Sequence, residues 1–120
     1  MRSKWIEHKG KQIFYQDFSG IDIDRSEVVL KELDEVQEVV SQRPLNSVLV
    51  LADFRETSMG RDMFRAMTDS SNKTKAHVRK TAVLGVTGIK RMLANNLMSL
   101  TRQELKLFDE EEDAKNWLAQ

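Results

Sequence analysis

Three groups of residues carry side chains able to do chemistry: Asp17 and Ser19; Asp53, Arg55, Thr57 and Ser58; and Thr87, Gly88 and Lys90. Each joins a hydroxyl to a charged group and follows a run of strand-forming residues. That combination suits holding an anion or receiving a phosphate, because a helix start beyond a strand offers free backbone N–H groups. The second group is the richest. A phosphate on Ser58 would be stabilised by the helix dipole and by Arg55 or Arg61. The plainer alternative is that Ser58 caps the following helix, as serine commonly does.

Other chemistry finds little support. Gly85-Val86-Thr87-Gly88-Ile89-Lys90 has the glycines of a phosphate loop but not the GxxxxGK[ST] spacing, so a tight turn or a weak anion site accounts for it. The chain has no cysteine, which removes disulfides, thiolate metal sites and thiol nucleophiles. Its two histidines, His8 and His77, are too isolated for a metal site, which needs several converging ligands. No spacing brings serine, histidine and acid together. The expectation is a non-enzymatic protein with no catalytic residue, metal or cofactor.

Nineteen basic residues balance nineteen acidic ones, so global charge favours neither nucleic acid nor an anionic membrane. Locally the balance fails. Between Ser70 and Gln103 there is no acid, while Lys73, Lys75, Arg79, Lys80, Lys90, Arg91 and Arg102 lie there. This stretch reads as a docking face for an acidic partner or for RNA, or as charge balanced by the first and last helices. It contains no aromatic residue, so it lacks a platform for stacking bases. Met59, Met63, Met67, Met92 and Met98 offer adaptable apolar surface or ordinary core filling, and Asn96 falls on or beside an apolar stripe.

These groups must be positioned by the elements around them. Ser47–Phe54 and Thr81–Gly88 are nearly continuous apolar runs, as expected of parallel strands covered on both faces. Ligands and partners of such sheets meet the loops at the strands' carboxyl ends. Trp5–Lys9 and Lys11–Phe18 read as a hairpin about Lys9-Gly10, with Phe14 and Phe18 on one face and Ile13 and Tyr15 on the other. Asp24, with Glu27 three residues on, opens a helix whose apolar stripe is Val29, Leu33, Val36 and Val40. A second helix starts at Ser58, and Asp69–Lys75 reads as loop or frayed end. A third buries Ile89, Met92, Leu93, Leu97 and Leu100; the strand Leu105–Phe108 precedes a last helix docked by Ala114, Trp117 and Leu118.

The pattern predicts an α/β fold of order β-β-α-β-α-β-α-β-α, a mixed, mostly parallel five-stranded sheet covered by about four helices. Residues 1–120 are expected to form a single domain burying about two-thirds of the unfolded surface. No window approaches the roughly 18 apolar residues of a membrane span, and Met1–Glu7 has no apolar stretch resembling a signal peptide. A cytoplasmic protein without an integral membrane segment is the expectation.

From Trp5 to Leu118 the chain resembles small bacterial STAS-like domains, the family of anti-sigma factor antagonists. The resemblance rests on Asp17-Phe18-Ser19-Gly20, Asn46–Asp53, Ala82–Gly88 and the ending Glu111–Leu118. It implies a sheet with helices on its faces and a regulatory role through protein contacts, with a kinase or signalling protein as partner. In the antagonists a serine opening the helix after the central strand is phosphorylated, and Thr57-Ser58 is the matching neighbourhood. Where the family shows an Asp-Ser-Ser-Gly-like signature, this chain has Glu56-Thr57-Ser58-Met59-Gly60. Such proteins are also similar to CRAL-TRIO lipid-transfer domains, so the alternative function is a carrier or sensor of a small apolar, lipid-like ligand. The partner-binding or phosphoacceptor candidates are Asp53, Arg55, Thr57, Ser58, Thr87 and Lys90. Edge strands and methionines add the expectation of a homodimer.

Overall fold

A computed structural model describes residues 1–58, 60–85 and 104–120. In chain order the strands are β1 (Lys4–His8), β2 (Lys11–Asp17), β3 (Val48–Asp53), β4 (Val78–Leu84) and β5 (Leu105–Phe108). The helices described are α1 (Ser26–Ser41), α2 (Arg61–Thr74) and α3 (Glu111–Ala119). The strands lie side by side in the order β1-β2-β3-β4-β5.

The sheet is mixed, with one antiparallel pairing and three parallel ones. Lys9 (φ 51°) and Gly10 (φ 79°) both take positive φ, the mirror-image turn that matches strand twist in a two-residue hairpin. That turn sets β1 antiparallel to β2, whereas β2/β3, β3/β4 and β4/β5 run parallel. The register places Asp17 beside Asp53 and Asp53 beside Leu84. Three strands therefore end level, and their exit loops share one rim.

All six residues of β3 are buried, because both faces of the sheet are covered. On one face Phe14, Phe18, Val50, Ala52 and Val83 pack against Val29, Leu33, Val36 and Val40 of α1 and Met63 and Met67 of α2. On the other, Ile13, Leu49, Leu51, Ala82 and Leu84 pack against Ala114 and Leu118 of α3. The alternation expected of β2 holds, with Phe14 and Phe18 in the first cluster and Ile13 and Tyr15 in the second.

Several boundaries differ from the sequence reading. A 3-10 turn, Ile23–Arg25, precedes α1, so Asp24 lies inside that turn and Arg25 is the N-cap, without a side-chain cap bond. Helix α2 starts at Arg61, with Gly60 as N-cap. Ser58 therefore does not cap it. The same helix runs through the polar stretch Asp69–Thr74, because Ser70 and Thr74 face inward and are buried. Thr74 Oγ1 donates to the Ser70 carbonyl at 3.1 Å, so burial leaves its hydroxyl satisfied. Strand β4 ends at Leu84. Three α-helices occur among the described residues; the further helix expected over 89–100 lies outside them.

The chain before β1 is tied down by one buried carboxylate. Glu32 of α1 is 3% exposed and accepts the N–H groups of Arg2 (3.0 Å) and Ser3 (2.7 Å) and the Ser3 hydroxyl (2.5 Å). Burial alone would raise its pKa, but those donors more than offset it and hold it below the usual carboxylate range. Ser3 Oγ in turn accepts the Asp17 N–H at 3.1 Å, linking this segment to the end of β2. Glu32→Ala strands buried donors and is expected to cost about 2 kcal/mol, read as a lower urea midpoint at pH 7. An unchanged midpoint would show that the segment contributes nothing to folding.

Candidate functional site

Asp53 is the last residue of β3 and is 1% exposed. A buried carboxylate is tolerated only when its lone pairs are matched, and here they are. Oδ1 accepts the Arg55 N–H at 2.9 Å and Arg55 Nε at 3.0 Å; Oδ2 accepts Arg55 Nη2 at 2.8 Å and the Tyr15 hydroxyl. Arg55 thus grips one carboxylate by backbone and fork together. The grip preorganises a guanidinium that remains 44% exposed. Its Nη2 also reaches Glu111 Oε1 at 2.9 Å, and Glu111 Oε2 holds Lys115 Nζ at 2.7 Å. The chain of charges runs from the centre of the sheet to the first two turns of α3.

Each ionisation shift has an identifiable cause. Burial would raise Asp53, but hydrogen bonds from Arg55 and Tyr15 outweigh it and hold its carboxyl below the ordinary range. Burial, then the hydrogen bond to Asp53, pushes the Tyr15 phenol up to about 12. The Asp53 hydrogen bond holds the Arg55 guanidinium more firmly protonated than usual. Lys115, more than Arg55, pulls Glu111 down. These shifts hold Asp53, Glu111 and Arg55 toward their charged forms and Tyr15 toward the neutral phenol. The network is built to hold a fixed charge pattern.

Loop geometry opens the rim into a cleft of about 660 Å³ lined, among the described residues, by Tyr15, Ser19, Gly20, Asp53, Arg55, Glu56 and Gly85. Asp17 Oδ1 accepts the Ser19 N–H (3.0 Å) and hydroxyl (2.6 Å), which turns the chain after β2. The Gly20 N–H then donates to the Arg55 carbonyl at 2.9 Å. Gly85, at φ +80°, lies so close that a Cβ there would stand 2.5 Å from Arg55 N and 2.6 Å from Arg55 Cα. Glu56 takes φ 58°, a left-handed conformation uncommon outside glycine and asparagine.

The structure brings Asp17, Ser19, Asp53 and Arg55 together on this rim. Thr57 is 2% exposed and its hydroxyl donates to the Phe18 carbonyl, so it clamps the loop after β3 to the end of β2. Ser58 is exposed, with its N–H donating to the Ile21 carbonyl at 2.9 Å. Thr87, Gly88, Lys90 and Asn96 lie outside the described residues, as does Met59. Tyr15, Gly85, Glu111 and Lys115 complete the site; Gly85 was met in the sequence only in the phosphate-loop-like run, and the other three were not among the candidates. Tyr15 could have been found, since period-2 alternation puts it on the Asp17 face of β2, next to the strand that ends in Asp53.

The family model described as SpoIIAA-like matches residues 21–119. The chain belongs to the SpoIIAA-like family. This SpoIIAA-like domain also superposes on the crystal structure of an uncharacterized DUF3478-family protein with a SpoIIAA-like fold from Shewanella loihica PV-4. The TM-score is 0.73 at 13% identity, over 97% of this chain and 91% of that one. At such identity the likeness concerns the fold. No curated protein matches the chain. No helix among the described residues of the SpoIIAA-like chain is long and apolar enough to cross a membrane.

Proposed function

We propose that residues 1–120 act as one STAS-like regulatory domain in the cytoplasm, capturing a protein partner at the strand-end cleft without catalysis. STAS-like domains typically bind proteins. The observation that carries the reading here is Arg55. Asp53 and Glu111 immobilise its fork while leaving it half exposed, and an arginine held in advance loses little entropy when it meets an acidic group on a partner. Ser58, three residues on and exposed, is the hydroxyl we assign as phosphoacceptor for a partner kinase. Thr57 supports the loop beneath it.

Affinity capture from the native cell, followed by mass spectrometry, tests this reading. Wild-type protein should retain a partner that Arg55→Ala loses and Ser58→Glu retains more weakly; Ser58→Glu should melt within a few degrees of wild type, whereas Arg55→Ala strands the buried Asp53 carboxylate and is assayed well below its lowered melting temperature. Equal recovery by all three proteins would refute the assignment of the cleft.

The carrier reading draws on a cavity between the sheet and α1/α2, bordered by Phe18, Leu33, Val50, Phe54, Met67 and Leu105. Its volume is about 60 Å³. An engineered cavity of about 150 Å³ is what benzene requires, so this one has no room for a lipid. The cleft reading is therefore preferred.

A further inference from the structure

Strand β1 is an edge of the sheet, and an exposed edge is a template for another strand. Hydrogen-bond parity shows which of its groups are free. The Phe18 N–H donates to the Asp53 carbonyl at 3.0 Å, so even-numbered positions of β2 turn toward β3. Odd-numbered Lys11, Ile13 and Tyr15 then turn toward their register partners His8, Ile6 and Lys4. Trp5 and Glu7 are left with N–H and C=O groups pointing away from the sheet. The next outward residue, Ser3, is closed, because Glu32 takes its N–H at 2.7 Å. Among the described residues the edge offers two free rungs, those of Trp5 and Glu7.

We propose that these rungs are filled by β1 of a second copy, antiparallel about a two-fold axis at Ile6, so that two sheets become one. The inference does not rest on the cleft reading, since none of its contacts involves Arg55. In this register Trp5 opposes the partner's Glu7, Ile6 opposes the partner's Ile6, and Lys4 opposes the partner's His8.

The charges select this arrangement. The Arg43 guanidinium stands 4.3 Å from the centroid of the Trp5 ring. Directly opposed residues have Cβ atoms about 5 Å apart, which sets the partner's Glu7 beside Arg43. On the other face His8 Nε2 lies 3.8 Å from Glu112 Oε1, so Lys4 meets the partner's Glu112. Two-fold symmetry makes each pair twice. Lys4, Glu7 and Arg43 are exposed and have no ionic partner in their own chain among the described residues. Ile6 adds apolar contact beside the cluster under α3. Slipping the register by two residues either opposes Glu7 to the partner's Glu7, which repels, or calls on the Ser3 rung that Glu32 already holds. The surface is self-complementary in one register, which a foreign strand would have no reason to match.

Sedimentation equilibrium over a range of protein concentrations tests the pairing, with circular dichroism melting as the check on folding. Wild-type protein should be a dimer. Glu7→Arg faces Arg43 with like charge and should raise the dimer dissociation constant about tenfold or more; Arg43→Glu should do the same against Glu7. The doubly substituted Glu7→Arg, Arg43→Glu protein should recover most of the loss. Glu7→Pro, which removes an outward N–H while leaving the β1/β2 bonds intact, should also dissociate the dimer. A wild-type monomer, a dimer indifferent to the single charge reversals, or a double variant no tighter than either single would each overturn the proposal.

Discussion

Replacing Gly85 by alanine is expected to lower stability by about 3 kcal/mol, the sum of a left-handed backbone carrying a side chain and an overpacked contact. The contact is with backbone, not with a side chain that can swing aside: Arg55 N at 2.5 Å, Arg55 Cα at 2.6 Å and the Phe54 carbonyl carbon at 2.8 Å. The Phe54 N–H donates to the Leu84 carbonyl at 3.0 Å, so β3 and β4 cannot separate without breaking the ladder. At about 4 °C per kcal/mol for a domain near this size, the melting temperature should fall by about 12 °C. Gly20→Ala is the control. That glycine also has positive φ, +67°, but a Cβ there would meet nothing within 4 Å, so only the backbone cost of about 1 kcal/mol applies. Equal losses at the two positions would mean that the close approach of β4 to Arg55 does not matter.

Asp53→Asn should cost about 2 kcal/mol and change how stability depends on pH. The amide keeps the shape but turns a donor toward Arg55 Nη2 or Tyr15, where the carboxylate accepted from both. Losing one partner of a fully buried ion pair costs roughly 3–5 kcal/mol. The cost here is smaller because Arg55, 44% exposed, can be rehydrated. In acid, the native carboxyl of Asp53 is held below its ordinary range. Its contribution is therefore complete above about pH 4 and is lost as the pH falls through the native value. Glu32 behaves in the same sense. Urea midpoints of the wild-type protein should drop below pH 4, and Asp53→Asn should flatten that decline.

The same substitution has an alkaline readout. The native phenol of Tyr15 is pushed up to about 12, so its contribution is complete below about pH 10 and is lost as the pH rises through the native value. The chain has a single tyrosine, so phenolate absorbance reports this group alone. Asp53→Asn should lower the absorbance midpoint part of the way, since burial, the larger cause of the shift, remains. A midpoint unmoved by the substitution would show that burial alone perturbs Tyr15.

Much of the architecture was legible because burial writes periodicity into sequence. The two apolar runs read as β3 and β4 lie side by side and parallel, Lys9-Gly10 forms the hairpin turn, and the stripe Val29, Leu33, Val36 and Val40 is buried. Boundaries failed where polar groups are satisfied by tertiary contacts. Ser70 and Thr74 looked like solvent-facing loop residues, yet they continue α2 inward, with the Thr74 hydroxyl bonded one turn back. Ser58 has the residue type of a cap, but Gly60 takes that position and α2 begins at Arg61.

The amino-acid order by itself determined which stretches are strands and helices, which faces turn inward, and that the chain ends β2 and β3 on aspartates. Those properties follow from local periodicity and backbone preference. Only the tertiary structure decided that Asp53 is buried in a fourfold grip, that Thr57 clamps a loop while Ser58 stays exposed, and that Glu111, 56 residues along the chain from Arg55, completes the site. Such pairings depend on register between strands and on the docking of α3. A carboxylate's partner is chosen by what the fold brings within hydrogen-bonding distance, which spacing along the chain does not encode.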